Sequence, residues 1–200
     1  MKKPFGKFIK AELKKGFLLI ACGLPGTGKT TLTEAVQKIK GGRLLKSDII
    51  RRELLKDQDI FDVKIAGDMK KRIQVYEEMF RQADAALDNE KNVILDATFL
   101  TQALRQQAAA IAARHGVAFV ILQSDCPDDI CLARIQARDK ATSVSNALTG
   151  EAYLSNKKDF EPVDIDNLKK LNPNLKLIYI VVDTSKDPPD DWYITRYEKR

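Results

Sequence analysis

Apolar residues along this chain fall either in short unbroken runs or at steps of three and four positions. That alternation predicts strands buried on both faces and joined by amphipathic helices. Phe17-Leu18-Leu19-Ile20-Ala21-Cys22 is the first run, and it ends in a glycine-rich turn. Leu32, Ala35, Val36 and Ile39 then mark the inner face of a helix from Lys29 to Lys40, closed by Gly41-Gly42. Arg43 to Ser47 reads as a second strand, with a turn at Asp48, a helix through Leu55 and a connection over residues 57 to 66. From about Gly67, the positions Met69, Ile73, Tyr76, Phe80, Ala83 and Leu87 give a long helix closed near Asn89, a stripe that is core far more often than a cofactor contact. Asn92 to Leu95 makes a third strand ending at Asp96, and a helix runs from Thr101 to His115 with Gly116 at its C′ position. Val117 to Gln123 is the fourth strand, Pro127 opens a helix through Arg138, and Leu175 to Val182 is the fifth strand.

Strand and helix alternating in this way predict a parallel α/β sandwich. Residues 139 to 174 break the rhythm: they are polar, contain Gly150, Pro162 and Pro173, and read as a partly helical excursion able to act as a lid.

Composition narrows the class. Two hundred residues at 44% hydrophobic content suit one globular domain, a length that buries roughly 70% of the unfolded surface without disulfides or metals. No apolar run approaches the roughly 18 residues of a membrane span, and charges interrupt the N-terminus where a signal peptide needs an apolar stretch. The expectation is a cytoplasmic protein with no transmembrane segment. Cys22, Cys126 and Cys131 match no zinc or redox spacing and read as reduced packing thiols. The net charge of +6 is unevenly placed: residues 1–16 carry six lysines against Glu12, which leaves +1 for the remainder. The division expected is therefore a basic arm, 1–16, and a domain, 17–200. Phe5, Phe8, Ile9 and Leu13 interleave with those lysines. The arm suits either a nucleic-acid or membrane surface, or a leader helix packing its apolar side on the domain.

The strongest chemical signal is Gly23-Leu24-Pro25-Gly26-Thr27-Gly28-Lys29-Thr30, which follows a buried-strand pattern and opens a helix. The glycines let successive N–H groups turn toward phosphate oxygens, and the helix N-terminus adds positive potential. Lys29 is expected at the β- and γ-phosphates of ATP, Thr30 on Mg²⁺, and the adjoining Thr31 beside the nucleotide. A glycine-rich turn without a ligand would leave unexplained a lysine at a helix mouth, where the dipole disfavours it.

Two further features point to phosphoryl transfer. Asp48 and Arg51 lie three residues apart at a helix start, where a carboxylate could take an acceptor's hydroxyl proton while a guanidinium holds acceptor or phosphoryl oxygens. The plainer account is an Asp N-cap with a surface ion pair. Asp96 ends a strand, as expected of a contact to Mg²⁺-bound water or acceptor, or of a carboxylate capping the next turn. His115 reads as a C-terminal helix cap.

Gly-x-x-Gly-x-Gly-Lys-Thr, Ser-Asp-x-x-Arg at 47–51 and Ile94-Leu95-Asp96-Ala97-Thr98-Phe99 together resemble the kinase group of P-loop proteins often labelled AAA-family ATPases. The group is similar in layout to polynucleotide 5′-hydroxyl kinases, gluconate kinases and zeta-type toxins, and the resemblance covers about residues 17 to 160. It implies a P-loop NTPase three-layer sandwich with a five-stranded parallel sheet of order 2-3-1-4-5 and a lid. It implies Asp48 as general base, Arg51 as acceptor or phosphate contact and Asp96 as Mg²⁺-water or acceptor contact, with Thr30 beside Asp96 at one metal site. It also implies Arg134 and Arg138 as a lid pair closing over the triphosphate. Independently, guanidiniums at i and i+4 leave one side of a helix and could neutralise charge on a transferred phosphoryl group, solvated surface arginines being the alternative. The run Asp139 to Ala147 follows the group's pattern only loosely, and Arg105 falls where such kinases often carry an arginine.

The function expected is an ATP- and Mg²⁺-dependent kinase acting on a hydroxyl acceptor, a small metabolite ahead of a nucleic-acid 5′ end because no concentrated basic stripe lies in the body. A nucleotide-dependent switch or regulatory ATPase is the alternative of a different class. It gives no reason for Asp48 and Arg51 to be paired.

Overall fold

The computed structural model describes residues 3–56, 68–138, 149–187 and 189–200. The connection expected over 57–66 and residues 139–148 of the expected lid, with the whole of the Asp139–Ala147 run, lie outside the described residues. Along the chain come β1 (Lys3–Pro4), α1 (Phe5–Glu12), β2 (Phe17–Cys22), α2 (Lys29–Lys40), β3 (Arg43–Lys46), α3 (Ser47–Leu54), α4 (Met69–Leu87), β4 (Asn92–Asp96), α5 (Gln102–Arg114), β5 (Ala118–Asp125), α6 (Asp128–Gln136), α7 (Gly150–Asp159), α8 (Ile165–Leu171), β6 (Leu177–Asp183) and β7 (Tyr193–Lys199), with a 3-10 turn at Pro189–Asp191.

Successive side chains of a strand face opposite ways, and β2 shows how that builds three layers. Leu18 and Ile20 join one core with Met79 and Ala83 of α4 and Ala108 and Ala112 of α5. Phe17 and Leu19 join the other with Leu32 and Val36 of α2 and Phe5, Phe8 and Ile9 of α1. Both faces of β2 are therefore dry, which is why its sequence is an unbroken apolar run.

Five strands are parallel and lie in the order β3-β4-β2-β5-β6, the order expected of the five strands read from sequence. The expectation of a purely parallel five-stranded sheet is corrected: the sheet has seven strands and is mixed. Strand β7 pairs antiparallel with β6, and β1 pairs antiparallel with β7. The cause is edge position. Tyr193-Ile194-Thr195-Arg196-Tyr197-Glu198-Lys199 is part-exposed or exposed throughout, so polar residues intrude on both faces and no apolar run forms. Two residues of β1 carry no period at all.

Helix α1 packs against α2 and β7. Its Phe5, Phe8 and Ile9, with Leu13, are buried, and each such side chain contributes about 1.5–3 kcal/mol before conformational entropy is charged against it. The Phe8 ring meets Tyr197 edge-on at 4.9 Å. Its lysines Lys7 and Lys10 remain exposed.

The expected excursion divides in two. Helix α7 packs on α6, where Tyr153 joins Cys131 and Ile135 in a small separate cluster against Leu24. Helix α8 instead places Ile165 and Leu168 in the main core. The three cysteines are free thiols. His115 caps α5 and lies 2.8 Å from Asp84 through Nε2.

Arg105 is fully buried and is a structural staple. It donates to the carbonyls of Phe99 (3.0 Å), Leu100 (3.0 Å), Glu161 (2.7 Å) and Pro162 (3.0 Å) and to Gln102 Oε1 (3.1 Å). The guanidinium also lies 5.3 Å from the Phe160 ring. It thereby ties the turn after β4 to the segment between α7 and α8. Removing one partner of a buried charged network leaves the others unsatisfied, so Arg105→Met is expected to lower stability by about 3–5 kcal/mol. Urea denaturation followed by circular dichroism would measure that loss, and a change under about 1 kcal/mol would contradict the staple.

Candidate active site

At the C-terminal end of β2 the backbone turns through Gly23, Gly26 and Gly28, all at positive φ. A Cβ at Gly26 would fall 2.5 Å from the Cys131 carbonyl oxygen, and one at Gly28 would fall 2.6 Å from the Trp192 ring. Glycine is therefore required there by space as well as by conformation. Leu24 and Pro25 form the outer turn. Thr27 Oγ1 lies 2.7 Å from the Leu24 carbonyl and 2.6 Å from Ser124 Oγ. The Thr184 hydroxyl lies 2.8 Å from the Thr27 carbonyl and 3.0 Å from that of Asp125. Ser124, Thr184 and Trp192 thus fix the loop from beneath, and the sequence reading missed all three. Each sits at or beyond a strand end with no motif around it.

Lys29 opens α2 and turns its ammonium back into the loop, 2.7 Å from the Leu24 carbonyl. Burial pushes its pKa down to about 8, with Asp96 pulling it up and Arg138 pushing it further down. A desolvated cation cradled by backbone donors is a site for phosphate oxygens. Thr30 follows, and the hydroxyls of Thr30 and Thr33 both draw the Asp96 carboxyl downward. Burial pushes Asp96 up from the usual carboxylate range despite those hydroxyls. One carboxylate and one hydroxyl suit Mg²⁺, which keeps waters and takes its other ligands from phosphate. Among the described residues no cluster of three or more metal-ligating side chains exists, as an all-protein cage would require. Thr31 is exposed on the first turn of α2.

Asp48 lies in the first turn of α3 but does not cap it: Lys46 holds the cap position and no side-chain cap bond forms. Its carboxyl is raised by burial, with Arg51 opposing and Asp96 reinforcing that rise, and it is also felt by Lys29 and Arg138. Arg51 is only 8% exposed, so the surface-ion-pair account does not describe it. Its Nε has no hydrogen-bond partner. The structure therefore gathers Lys29, Asp48, Arg51, Asp96 and Arg138 into one electrostatic group.

Arg134 is placed elsewhere. Its guanidinium donates to the Thr184 carbonyl (2.9 Å), the Lys186 carbonyl (3.5 Å) and Asp187 Oδ2 (3.0 Å). The expected helix through Arg138 ends at Gln136, so the i, i+4 pair splits: Arg138 lies beyond the helix and is influenced by Asp48, while Arg134 is bound to the turn after β6. Tyr76, read as core, also orients the site: its hydroxyl accepts from Phe99 N at 2.9 Å and lies 3.3 Å from Thr98 Oγ1. Phe99 holds a φ of 45°, rare outside glycine, directly after the Asp96-Ala97-Thr98 segment.

The family model described as "AAA domain" matches residues 18–163. The chain belongs to that AAA-domain family. An uncharacterized protein of Mycobacterium tuberculosis is 28% identical over 150 residues, which is 72% of this chain and 30% of the relative. The chain therefore spans about 30% of the length of the curated relatives it matches. Among solved structures, a sugar kinase of Janibacter sp. superposes with a TM-score of 0.63 at 18% identity over 88% of this chain and 89% of the other. A gluconokinase of Sinorhizobium meliloti gives 0.57 at 14% identity over 86% and 84%. A shikimate kinase of Acinetobacter baumannii in complex with shikimate gives 0.53 at 15% identity over 94% and 92%. At these identities the likeness is one of fold, and the fold of this AAA-domain protein is that of P-loop kinases.

Trp192 is the chain's one tryptophan and is 3% exposed against Gly28. Gly28→Ala is expected to displace the indole, moving its emission to longer wavelength and raising acrylamide quenching while the fold persists. Unchanged emission would remove Trp192 from the floor of the loop.

Proposed function

We propose that this protein is an ATP-dependent kinase that transfers the γ-phosphoryl group to a hydroxyl of a small metabolite. The observation that carries the reading is Asp48: a carboxylate at a helix start that leaves the cap unmade and instead shares a partly buried charge group with Lys29, Arg51, Asp96 and Arg138. A switch that hydrolyses nucleotide needs the loop and Asp96 but has no use for a second carboxylate placed so.

The positive-φ loop and the Lys29 ammonium would hold the β- and γ-phosphates. Thr30 and Asp96 would hold Mg²⁺, whose charge neutralises phosphate oxygens when bound. Asp48 takes the proton of the acceptor hydroxyl as its oxygen bonds to the γ-phosphorus and the bridging oxygen leaves with ADP. Arg138 and Lys29 face the charge that spreads over the transferred group. A small acceptor fits better than a nucleic-acid end because the arm's lysines Lys14 and Lys15 precede β2, whereas the loop follows it. They therefore lie at the opposite end of that strand.

Asp48→Asn is expected to cut phosphotransfer by about 10²- to 10⁴-fold with little change in nucleotide affinity, in a labelled-phosphate screen of pooled sugars, sugar acids and nucleosides. Equal ATP turnover by both forms, insensitive to every acceptor, would favour the switch instead. The pH profile of kcat/KM follows from the two shifted groups. Asp48 must be deprotonated to act, and burial raises its pKa, so the acid limb should lie above the ordinary carboxylate range. Lys29 must be protonated to bind phosphate, so the alkaline limb should begin near pH 8.

A further inference from the structure

The fold seats Cys126 and Cys131 together beneath the phosphate loop. Cys126 follows β5 and is half-buried, Cys131 is buried on α6, and both belong to the small cluster that takes in Leu24 of the loop. The Cys131 thiol reaches back to the Cys126 carbonyl at 3.7 Å, so the two residues share the corner where strand passes into helix. Neither thiol enters the phosphoryl transfer proposed above.

Two contacts join this pair to the loop. The Cys131 carbonyl oxygen stands so close to Gly26 that a Cβ there would fall 2.5 Å from it. The Cys126 thiol lies 3.9 Å from the Thr184 carbonyl, and the Thr184 hydroxyl donates to the Thr27 carbonyl at 2.8 Å. Gly26 is thus backed by one cysteine directly, and Thr27 by the other through Thr184. Arg134 adds a cation: Nη1 donates to Cys126 Sγ at 3.5 Å, while Nη2 holds the Thr184 carbonyl at 2.9 Å. Burial raises the Cys126 thiol, with Cys131 and Arg134 opposing that rise, and pushes the Cys131 thiol up to about 12. Cys126 is the more exposed of the two and the one beside a cation, so it ionises first.

Resting on the nucleotide loop of the reading above, we propose that Cys126 and Cys131 are a site of oxidative modification, forming a disulfide under peroxide that unseats the phosphate loop and weakens nucleotide binding. The Cys126 thiolate attacks one oxygen of the peroxide. An S–O bond forms as the O–O bond breaks, and the departing hydroxide takes a proton from solvent to become water. The Cys131 sulfur then bonds to that of Cys126, the S–O bond breaks, and the Cys131 proton leaves with the hydroxide as a second water. Two thiols are oxidised by two electrons while one peroxide is reduced to two waters. A disulfide fixes the separation and angle of its two Cβ atoms, so closing it resets the first turns of α6 against the end of β5. The Cys131 carbonyl has no room to advance on Gly26, and Cys126 no longer offers a proton to the Thr184 carbonyl.

The test exposes the reduced full chain to hydrogen peroxide, alkylates free thiols after unfolding, and reads tryptic peptides by mass. The peptide from His115 to Arg134 carries both cysteines. It should lose two hydrogens and escape alkylation, while Cys22 is alkylated. The reaction should quicken through the mildly alkaline range, since both thiols ionise above the ordinary thiol range. The oxidised protein should bind an ATP analogue about tenfold more weakly than the reduced protein, with Trp192 emission moved to longer wavelength, and dithiothreitol should restore both. Cys126→Ser, and separately Cys131→Ala, should bind the analogue as reduced wild type does and respond to peroxide in neither readout. A melting curve matching wild type certifies that each variant is folded. Recovery of Cys131 as an alkylated thiol after peroxide overturns the proposal, as does a disulfide that leaves affinity and Trp192 emission unchanged. A reduced protein that binds no nucleotide overturns the reading of the loop instead, and the Trp192 shift then decides whether the disulfide displaces it.

Discussion

An ammonium group drawn out of water at the end of a dry strand is the constraint that organises this protein's functional edge. Lys29 sits at a helix N-terminus, where the helix dipole repels it, and its pKa is pushed down to about 8 by burial. Such a placement survives only because neighbouring groups hold it. The glycines at positive φ bring the Leu24 carbonyl within 2.7 Å, and Asp96 stands across from it at the end of the adjacent strand. The loop in turn cannot relax, since Ser124, Thr184 and Trp192 meet it from below. What looks like a flexible glycine segment is clamped on three sides.

How far the sequence shows this depends on what kind of force places each residue. Strands β2, β4, β5 and β6 are legible because most of their residues are buried on both faces, and an apolar run leaves little else for the backbone to do. Their order needed the resemblance, since strand order is set by crossover geometry that no local pattern encodes. Strand β7 was illegible for the opposite reason: an edge strand half in water has the composition of a loop.

The site divides along the same line. Lys29, Thr30 and Asp96 follow from motif spacing, because a loop joined to a strand and a helix leaves little freedom in where they end up. Asp48 and Arg51 were legible as a pair, but their burial was not, and burial is what separates a cap from a charge cluster. Arg134 and Arg138 occupy equivalent positions on one helix by spacing alone. The helix ends at Gln136, short of Arg138, and a partner remote in sequence, the turn at Thr184–Asp187, holds Arg134. Arg105 is the converse case, a residue that invites a chemical role and is wholly consumed by four carbonyls and one side chain.

Strand register gives these placements a further property. Lys46 pairs with Asp96, and Ile20 with Leu95, inside a sheet covered on both faces. A strand so enclosed can slip only by whole residues, and a slip of one turns every inward side chain outward. Asp96, at the end of β4, can therefore be displaced along the strand only in whole-residue steps. Chemistry at the phosphate end is held at a fixed gauge.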